Sequence, residues 1–76
     1  MAGGRFHLTF PESLSGEPVI YRLGERFGLV TLIRRANLEE RSGWVILELE
    51  GDDGAIADAV AWLIERDVQV ERLDEG

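Results

Sequence analysis

The sequence predicts a single α+β domain in which four strands and two helices follow one another in the order βαββαβ. Its 76 residues leave room for one hydrophobic core. Four segments have the apolar patterns of strands, three of them with the two-residue alternation of a strand that buries one face. Two further segments repeat apolar residues at helical spacing. We therefore expect one domain over residues 1–76, with an ordered core at about 5–72.

The first strand and the first helix are predicted between Arg5 and Gly28. Apolar and polar residues alternate strictly over residues 5–10, which places Phe6, Leu8 and Phe10 in the core. Pro18 suits the first turn of the helix, where its missing N–H costs nothing. Gly28 is predicted to close the helix. The apolar residues of this helix share one face and are Val19, Ile20, Leu23 and Phe27.

The second predicted strand lies in a long β-rich stretch from Leu29 to about Arg41, and its apolar residues fall on both phases of the alternation. A strand that is covered on one face only does not have this pattern. Two explanations remain open. Either a β-bulge changes the phase midway, or both faces are covered, one of them by another chain.

The remaining elements follow in the second half of the chain. Residues 44–50 alternate again, so that Val45, Leu47 and Leu49 are predicted to lie in the core. Trp44 and Ile46 fall on the opposite face, where two large apolar side chains indicate a contact surface. Residues 51–54 form a turn with a helix-capping carboxylate. The second helix and a short last strand over residues 68–71 complete the pattern. The helix's apolar stripe comprises Ile56, Ala59, Val60 and Leu63, with Trp62 at its border.

This order of elements is that of a ferredoxin-like plait, with two helices covering one face of an antiparallel four-stranded sheet. Right-handed crossovers give the sheet order 4-1-3-2. The second strand is then an edge strand. Because an apolar edge strand is a template for pairing, we expect a homodimer that forms through this strand or through the uncovered sheet face.

Composition and charge exclude several classes of function. The chain has no cysteine, which removes disulfides, iron–sulfur clusters and thiol chemistry. A formal charge of −7 repels nucleic acid. His7 is the only histidine, and no metal-ligand spacing or convergent pair of acids accompanies it. We therefore expect no catalytic residue, no metal and no cofactor. Without an apolar stretch of signal-peptide or membrane-spanning length, we expect a cytoplasmic protein that does not insert into the membrane.

Six pieces of the sequence, in order, span nearly the whole chain: residues 5–10 (RFHLTF), 17–23 (EPVIYRL), 26–28 (RFG), 35–39 (RANLE), 43–51 (GWVILELEG) and 59–63 (AVAWL). Together they resemble the NIL domain family. Members of that family occur at the C-terminus of methionine-importer ABC-transporter ATPases, fused to small ferredoxins, and as stand-alone chains. The resemblance implies a ferredoxin-like domain that dimerises. In the transporter branch it also implies a methionine site near the subunit interface, through which the domain acts as a regulatory sensor.

One departure from the family pattern affects the implied ligand. The Asn-Ile-Leu triplet that names the family falls on Leu32-Ile33-Arg34, so that only its middle residue is kept. An asparagine amide can donate and accept hydrogen bonds, and a leucine can do neither. Gly43-Trp44 is more similar to the ferredoxin-fused and stand-alone branch, which the resemblance links to sulfur metabolism.

The candidate site residues lie mainly on the second strand. The predicted ligand-binding residues are Leu32, Ile33, Arg34, Ala36 and Leu38. The predicted interface residues are Leu32, Ile33, Arg35, Trp44 and Ile46. Consecutive residues of a regular strand point to opposite faces, so Arg34 and Arg35 are not expected to form one two-arginine clamp. One of the two is a candidate for a bidentate contact with a carboxylate, and the alternative is a charged residue that protects an edge strand from aggregation.

Three hypotheses for function follow. The first is a non-enzymatic homodimer that binds an amino acid or a sulfur metabolite near its interface. The second is a protein-interaction module that docks on a ferredoxin, a sulfur-transfer enzyme or a transporter ATPase. The third is an ACT-like regulatory domain, which shares the strand order.

Overall fold

The structure is a computed structural model that describes residues 2–14, 17–38 and 43–73. Its strands and helices follow the predicted order βαββαβ, with a short 3₁₀ turn at Glu12–Leu14. The elements are β1 (Ala2–Phe10), α1 (Val19–Phe27), β2 (Val30–Leu38), β3 (Gly43–Gly51), α2 (Asp53–Glu65) and β4 (Gln69–Arg72). The end of the β-rich stretch that was predicted to reach about Arg41 lies outside the described residues.

The four strands form one antiparallel sheet in the order β2-β3-β1-β4. This is the predicted order 4-1-3-2 counted from the opposite edge, so the predicted ferredoxin-like topology is confirmed. The two central strands, β1 and β3, pair along their full length from Ala2 opposite Gly51 to Phe10 opposite Gly43. The strands β2 and β4 are the two edges.

A single core lies between the helices and one face of the sheet, which we call the covered face. Every predicted core residue of β3 is buried there, and Leu47 has no exposed surface. Leu23 of α1 and Leu63 of α2 pack into the same core. Within the described chain no charged or polar side chain is buried. The opposite face of the sheet is the open face.

The ends of both helices have clear causes. The side chain of Asp52 accepts a hydrogen bond from the backbone N–H of Ala55 at 3.1 Å, which satisfies one of the free donors at the start of α2. Gly28 ends α1 with φ of 65°, a left-handed conformation that glycine adopts without steric cost. Pro18 lies at the N-cap of α1, one residue before the first turn in which we had expected it.

Two strands differ in their bounds from the prediction. β1 begins at Ala2 and not at Arg5. Glycines are depleted in strands, so Gly3 and Gly4 do not indicate a strand in the sequence. Both nevertheless pair with β3. Gly4 has little room for a side chain, because a Cβ there would lie 2.8 Å from the ring of Phe6. β4 covers Gln69–Arg72 and is shifted by one residue from the predicted 68–71.

The register of β2 contains a bulge that explains its two apolar phases in part: Ile33 and Ala36 share the covered face, while Val30 and Leu32 still point to the open face. Ile33 pairs with Leu47 and Arg35 pairs with Ile46, so Arg34 is the extra residue of a β-bulge. The bulge is the first of the two explanations that the sequence left open. Even so, eight of the nine residues of β2 are exposed and Thr31 alone is half-buried.

In the described ranges, no helix is both long enough and apolar enough to cross a membrane.

Candidate functional site

The open face carries the outward-pointing residues of all four strands, and neither α1 nor α2 lies over it. Residues that pair directly across an antiparallel sheet point to the same face. The register therefore assigns each side chain to one of the two faces. The open face contains Arg5, His7 and Thr9 of β1, Val30, Leu32, Arg34, Arg35 and Asn37 of β2, Trp44, Ile46, Glu48 and Glu50 of β3, and Gln69 and Glu71 of β4.

The bulge brings Arg34 and Arg35 to the same face, and the expectation that they point to opposite faces was wrong. Arg35 pairs with Ile46, whose side chain lies on the open face. Arg34 also points there, since its Nε donates a hydrogen bond to Glu48 at 3.0 Å. The alternation rule applies to a regular strand, and an inserted residue breaks it. The two consecutive arginines are therefore neighbours.

Glu48 is held between two arginines at the centre of the open face. Nη2 of Arg5 donates to Oε1 of Glu48 at 2.8 Å, and Nε of Arg34 donates to Oε2 at 3.0 Å. Each carboxylate oxygen thus has its own cationic donor, and the pair of contacts ties β1 and β2 to the strand between them. The hydrogen bond from Arg5 is the main cause that lowers the pKa of Glu48; the hydrogen bond from Arg34 and both positive charges act in the same direction, against partial desolvation.

A shallow depression of about 280 Å³ lies beside this ionic cluster. Its lining consists of Arg5, Arg34, Arg35, Ile46 and Leu73. Arg35 is exposed, and among the described residues its guanidinium has neither a hydrogen bond nor an ion pair. The depression therefore combines one uncommitted guanidinium, two that are engaged with Glu48, and a small apolar wall.

His7 lies on the open face, as its outward phase predicts. Its ring stacks on Trp44, with centroids 5.2 Å apart and an angle of 23° between the planes. Both residues are half-buried. The described residues contain no group of three potential metal ligands among His, Cys, Asp and Glu. The stacked rings of His7 and Trp44 form an aromatic surface at this point of the sheet.

The five predicted ligand-binding residues do not converge on one point. Leu32 and Arg34 lie on the open face. Ile33 pairs with Leu47 and Ala36 pairs with Val45, so both point to the covered face, and Leu38 does the same opposite Gly43. The bulge divides the set in this way.

Most of the predicted interface residues lie on the same face of the sheet, unlike the predicted ligand-binding residues. Leu32, Arg35, Trp44 and Ile46 all lie on the open face, while Ile33 lies on the covered face near the sheet edge. Trp44 and Ile46 are half-buried, and Leu32 is 48% exposed. Four of the five therefore form part of one surface.

Sequence reasoning missed Arg5, Glu48 and Leu73 as site residues. Arg5 and Glu48 stand on the polar phases of their strands, where a charged residue is expected to face water. A signal was available, because the predicted pairing of strands 1 and 3 allows an arginine and a glutamate to lie opposite each other. Leu73 follows β4, just beyond the ordered core of about 5–72 that the sequence predicts, yet its N–H donates to the carbonyl of Arg5 at 2.8 Å.

Comparisons with known proteins give a family and a fold. The family model of the NIL domain matches residues 5–72. No curated protein sequence matches the chain. Among solved structures, the C-terminal domain of an ABC transporter ATP-binding protein from Enterococcus faecalis is similar, with a TM-score of 0.82 and 19% sequence identity. The similarity covers 97% of this chain and 87% of that one.

Proposed function

The chain belongs to the NIL domain family, and on that premise we propose that it is a non-enzymatic regulatory module of the cytoplasm. In this proposal it forms a homodimer and binds a small ligand, an amino acid or a sulfur metabolite, near the subunit interface. The resemblance of the sequence to the family suggests both the dimer and the class of ligand. The support from the structure comes from the edge strand β2 and from the open face.

The observation that carries the proposal is the exposure of β2. Four of its apolar side chains remain exposed to solvent, with exposed fractions of 57% for Val30, 48% for Leu32, 51% for Ile33 and 72% for Leu38. An apolar edge strand with free backbone groups pairs readily with another strand. A small domain gains stability from such pairing because it buries little apolar surface by itself. A second copy that covers β2 would bury the apolar side chains that this strand exposes on both faces of the sheet.

The charges of the open face support self-association. Arg5, Arg34 and Arg35 on this face balance Glu48, Glu50 and Glu71, so the three positive and three negative charges cancel. The whole chain has a formal charge of −7. Two copies that meet through their neutral open faces therefore repel each other less than two copies that meet through the acidic remainder of their surfaces.

The dimer is tested by sedimentation equilibrium at tens of micromolar protein. We expect the native chain to be dimeric and Leu32→Glu to shift it toward monomer, because a charge is then buried in an apolar contact. Tyr21→Glu is the matched control, since Tyr21 is 66% exposed on α1, away from the open face. A native chain that is monomeric under these conditions contradicts the proposed dimer.

The ligand is tested by calorimetry with amino acids and sulfur metabolites. Since Leu32 replaces the family's asparagine, we expect methionine to bind weakly and Leu32→Asn to improve its binding. A gained hydrogen bond of about 0.5–1.5 kcal/mol corresponds to roughly two- to tenfold in affinity. Tight binding of methionine by the native chain would show that its anchor lies elsewhere. Absence of binding by both proteins argues against a methionine sensor.

A second candidate function is a protein-interaction module that docks on a ferredoxin, a sulfur-transfer enzyme or a transporter ATPase. The observation that favours it is the combination of exposed arginines with Trp44 and Ile46 on one face, since Arg and Trp are enriched where protein contacts are strongest. The likeness to a domain of a transporter ATP-binding protein supports the third of these partners. A chain that binds no small molecule and remains monomeric until a partner is added would favour this function over the first.

A further inference from the structure

We propose that the depression beside Glu48 binds a small oxyanion, a carboxylate or a sulfur oxyanion, with Arg35 as its principal contact and Glu48 as a built-in competitor. This inference rests on the proposed function in one respect only, namely that the module binds a small molecule. It does not require the homodimer. It names the binding site and the charge of the ligand, and it gives Glu48 the role of lowering the affinity of the site for that ligand.

The bulge is the structural cause of the site. In a regular strand, Arg34 and Arg35 would lie on opposite faces of the sheet. The extra residue brings both to the open face, beside Arg5 of β1, so that three guanidinium groups surround one depression. Bulges are frequent next to binding sites because they redirect side chains. Glu48 accepts hydrogen bonds from two of the three arginines that line the depression, so Arg35 remains available to an anionic ligand.

Glu48 neutralises two of these three groups and leaves the third. Its two oxygens accept from Arg5 at 2.8 Å and from Arg34 at 3.0 Å, which is the arrangement that an external carboxylate or sulfate would adopt. The side chain of Glu48 is 24% exposed, and those of Arg5 and Arg34 are 47% and 52% exposed. All three can therefore move when a ligand arrives. An oxyanion at Arg35 attracts Arg34 and Arg5 and competes with Glu48 for them.

The remaining lining sets the size and the character of the ligand. Ile46 and Leu73 give the depression an apolar side, and its volume of about 280 Å³ lies near the lower limit of small-molecule pockets. The site suits an anionic head group with a short apolar tail. A long polyanion is disfavoured, because Glu50 and Glu71 on the same face and the acidic remainder of the molecule repel it.

The test is a titration of the full chain followed by NMR, with the arginine Nε–H signals as site-specific reporters. The probes are sodium butyrate and sodium sulfate, and butylammonium chloride is the control with the same tail as butyrate and the opposite charge. We expect saturable shifts of the Arg35 and Arg34 signals with at least one of the two anions and none with butylammonium. Saturation with butyrate alone identifies a carboxylate site, and saturation with sulfate identifies a sulfur-oxyanion site. Linear shifts of equal size at all arginines contradict the proposal.

Three variants separate the roles of the residues. Arg35→Gln is expected to weaken binding of the anion at least tenfold. Arg22→Gln makes the same charge change on α1 and is expected to leave the affinity unchanged. Glu48→Gln is expected to strengthen binding roughly three- to tenfold, because it removes a nearby like charge and releases Arg5 and Arg34. A weaker or unchanged affinity in Glu48→Gln disproves the competitor role.

The outcomes also distinguish this inference from the proposed function. If an amino acid or a sulfur metabolite binds the native chain and Arg35→Gln binds it equally well, the module binds a small molecule but not at this site. If no anion and no metabolite binds, both fail. Arg35→Lys adds a further check, because it keeps the charge but loses the planar two-donor geometry and is therefore expected to weaken binding.

Discussion

At the scale of single residues, Glu48 connects the fold to the site. It lies on β3, between the two strands that carry the open-face arginines, and its carboxylate accepts from Arg5 on one side and from Arg34 on the other. Exposed ion pairs contribute little to stability by themselves, so the main effect of this cluster is to fix the positions of charged groups. The charge of Glu48 therefore acts mainly on the positions of Arg5 and Arg34, next to the proposed anion site.

The pKa of Glu48 gives a prediction for stability against pH. The arginines lower the pKa of this carboxyl in the folded protein below its ordinary value of 4.5. The stabilisation is therefore present above the unfolded pKa and is lost as the pH falls through the lower, folded pKa. We expect the native chain to lose more stability than Glu48→Gln between pH 6 and about pH 3. Urea denaturation of both proteins at each pH measures this, and parallel curves would show that the ion pairs make no contribution.

Two glycines with positive φ give a second prediction at this scale. A Cβ at Gly51, where φ is 156°, would lie 2.6 Å from Cδ2 of the buried Leu29, whereas nothing lies within 4 Å of the corresponding position at Gly28. Gly51→Ala is expected to cost about 1–3 kcal/mol from overpacking, in addition to backbone strain. Gly28→Ala is expected to cost about 1–2 kcal/mol from its left-handed backbone alone. Denaturant midpoints that show equal costs would mean that Leu29 moves away freely.

At the scale of elements, the sequence predicts most of the fold and part of the site. Alternation and helical spacing locate all six elements, because the covered face needs apolar residues at fixed positions such as Val45, Leu47 and Leu49. The same rule placed Arg34 and Arg35 on opposite faces, and one inserted residue makes that wrong. A bulge was one of two explanations for the pattern of β2. Its exact position depends on how the strand pairs with β3, which the sequence of β2 alone does not contain.

The bulge itself can be removed. Ile33 pairs with Leu47 and Arg35 pairs with Ile46, so deletion of Arg34 leaves an unbroken ladder with both halves in their present register. We expect the deleted chain to fold with unchanged or greater stability, because the sheet then has no unpaired residue. Hydrogen exchange and denaturant unfolding test this. A large loss of stability would show that the bulge is needed for the twist of the edge strand.

Deletion of Arg34 is expected to weaken the proposed anion site, although it is not expected to destabilise the fold. Arg35 stays on the open face, but Arg34 and its hydrogen bond to Glu48 are lost. We therefore expect the deletion to reduce anion binding while it preserves the fold. Weaker anion binding together with an unchanged free energy of unfolding would show that the bulge serves binding and is not needed for folding.

At the scale of the whole molecule, charge is distributed unevenly over the surface. All eight basic residues are arginines, and three of them lie on the open face. That face is neutral in sum, while the chain as a whole has a charge of −7. The surface suited to a second copy is thus also the surface with the proposed anion site. A ligand that changes the charge balance of this face is expected to change the association of two copies, which is the property that a regulatory module needs.

The net charge leads to a last prediction, on how salt affects the proposed dimer. Two copies with a charge of −7 each repel one another over distances longer than the contact itself, and salt screens this repulsion. If the contact is mainly apolar, through residues such as Leu32, Trp44 and Ile46, then the dimer should become tighter when NaCl is raised from about 10 mM to about 150 mM, as the Debye length falls from about 30 Å to about 8 Å. Sedimentation equilibrium at both concentrations measures the dissociation constant. A dimer that weakens with salt would instead be held by ion pairs between subunits, which would place the open-face arginines opposite the glutamates of the second copy. Leu32→Glu distinguishes the two cases, because it disrupts an apolar contact and adds a negative charge that an arginine-based contact would tolerate.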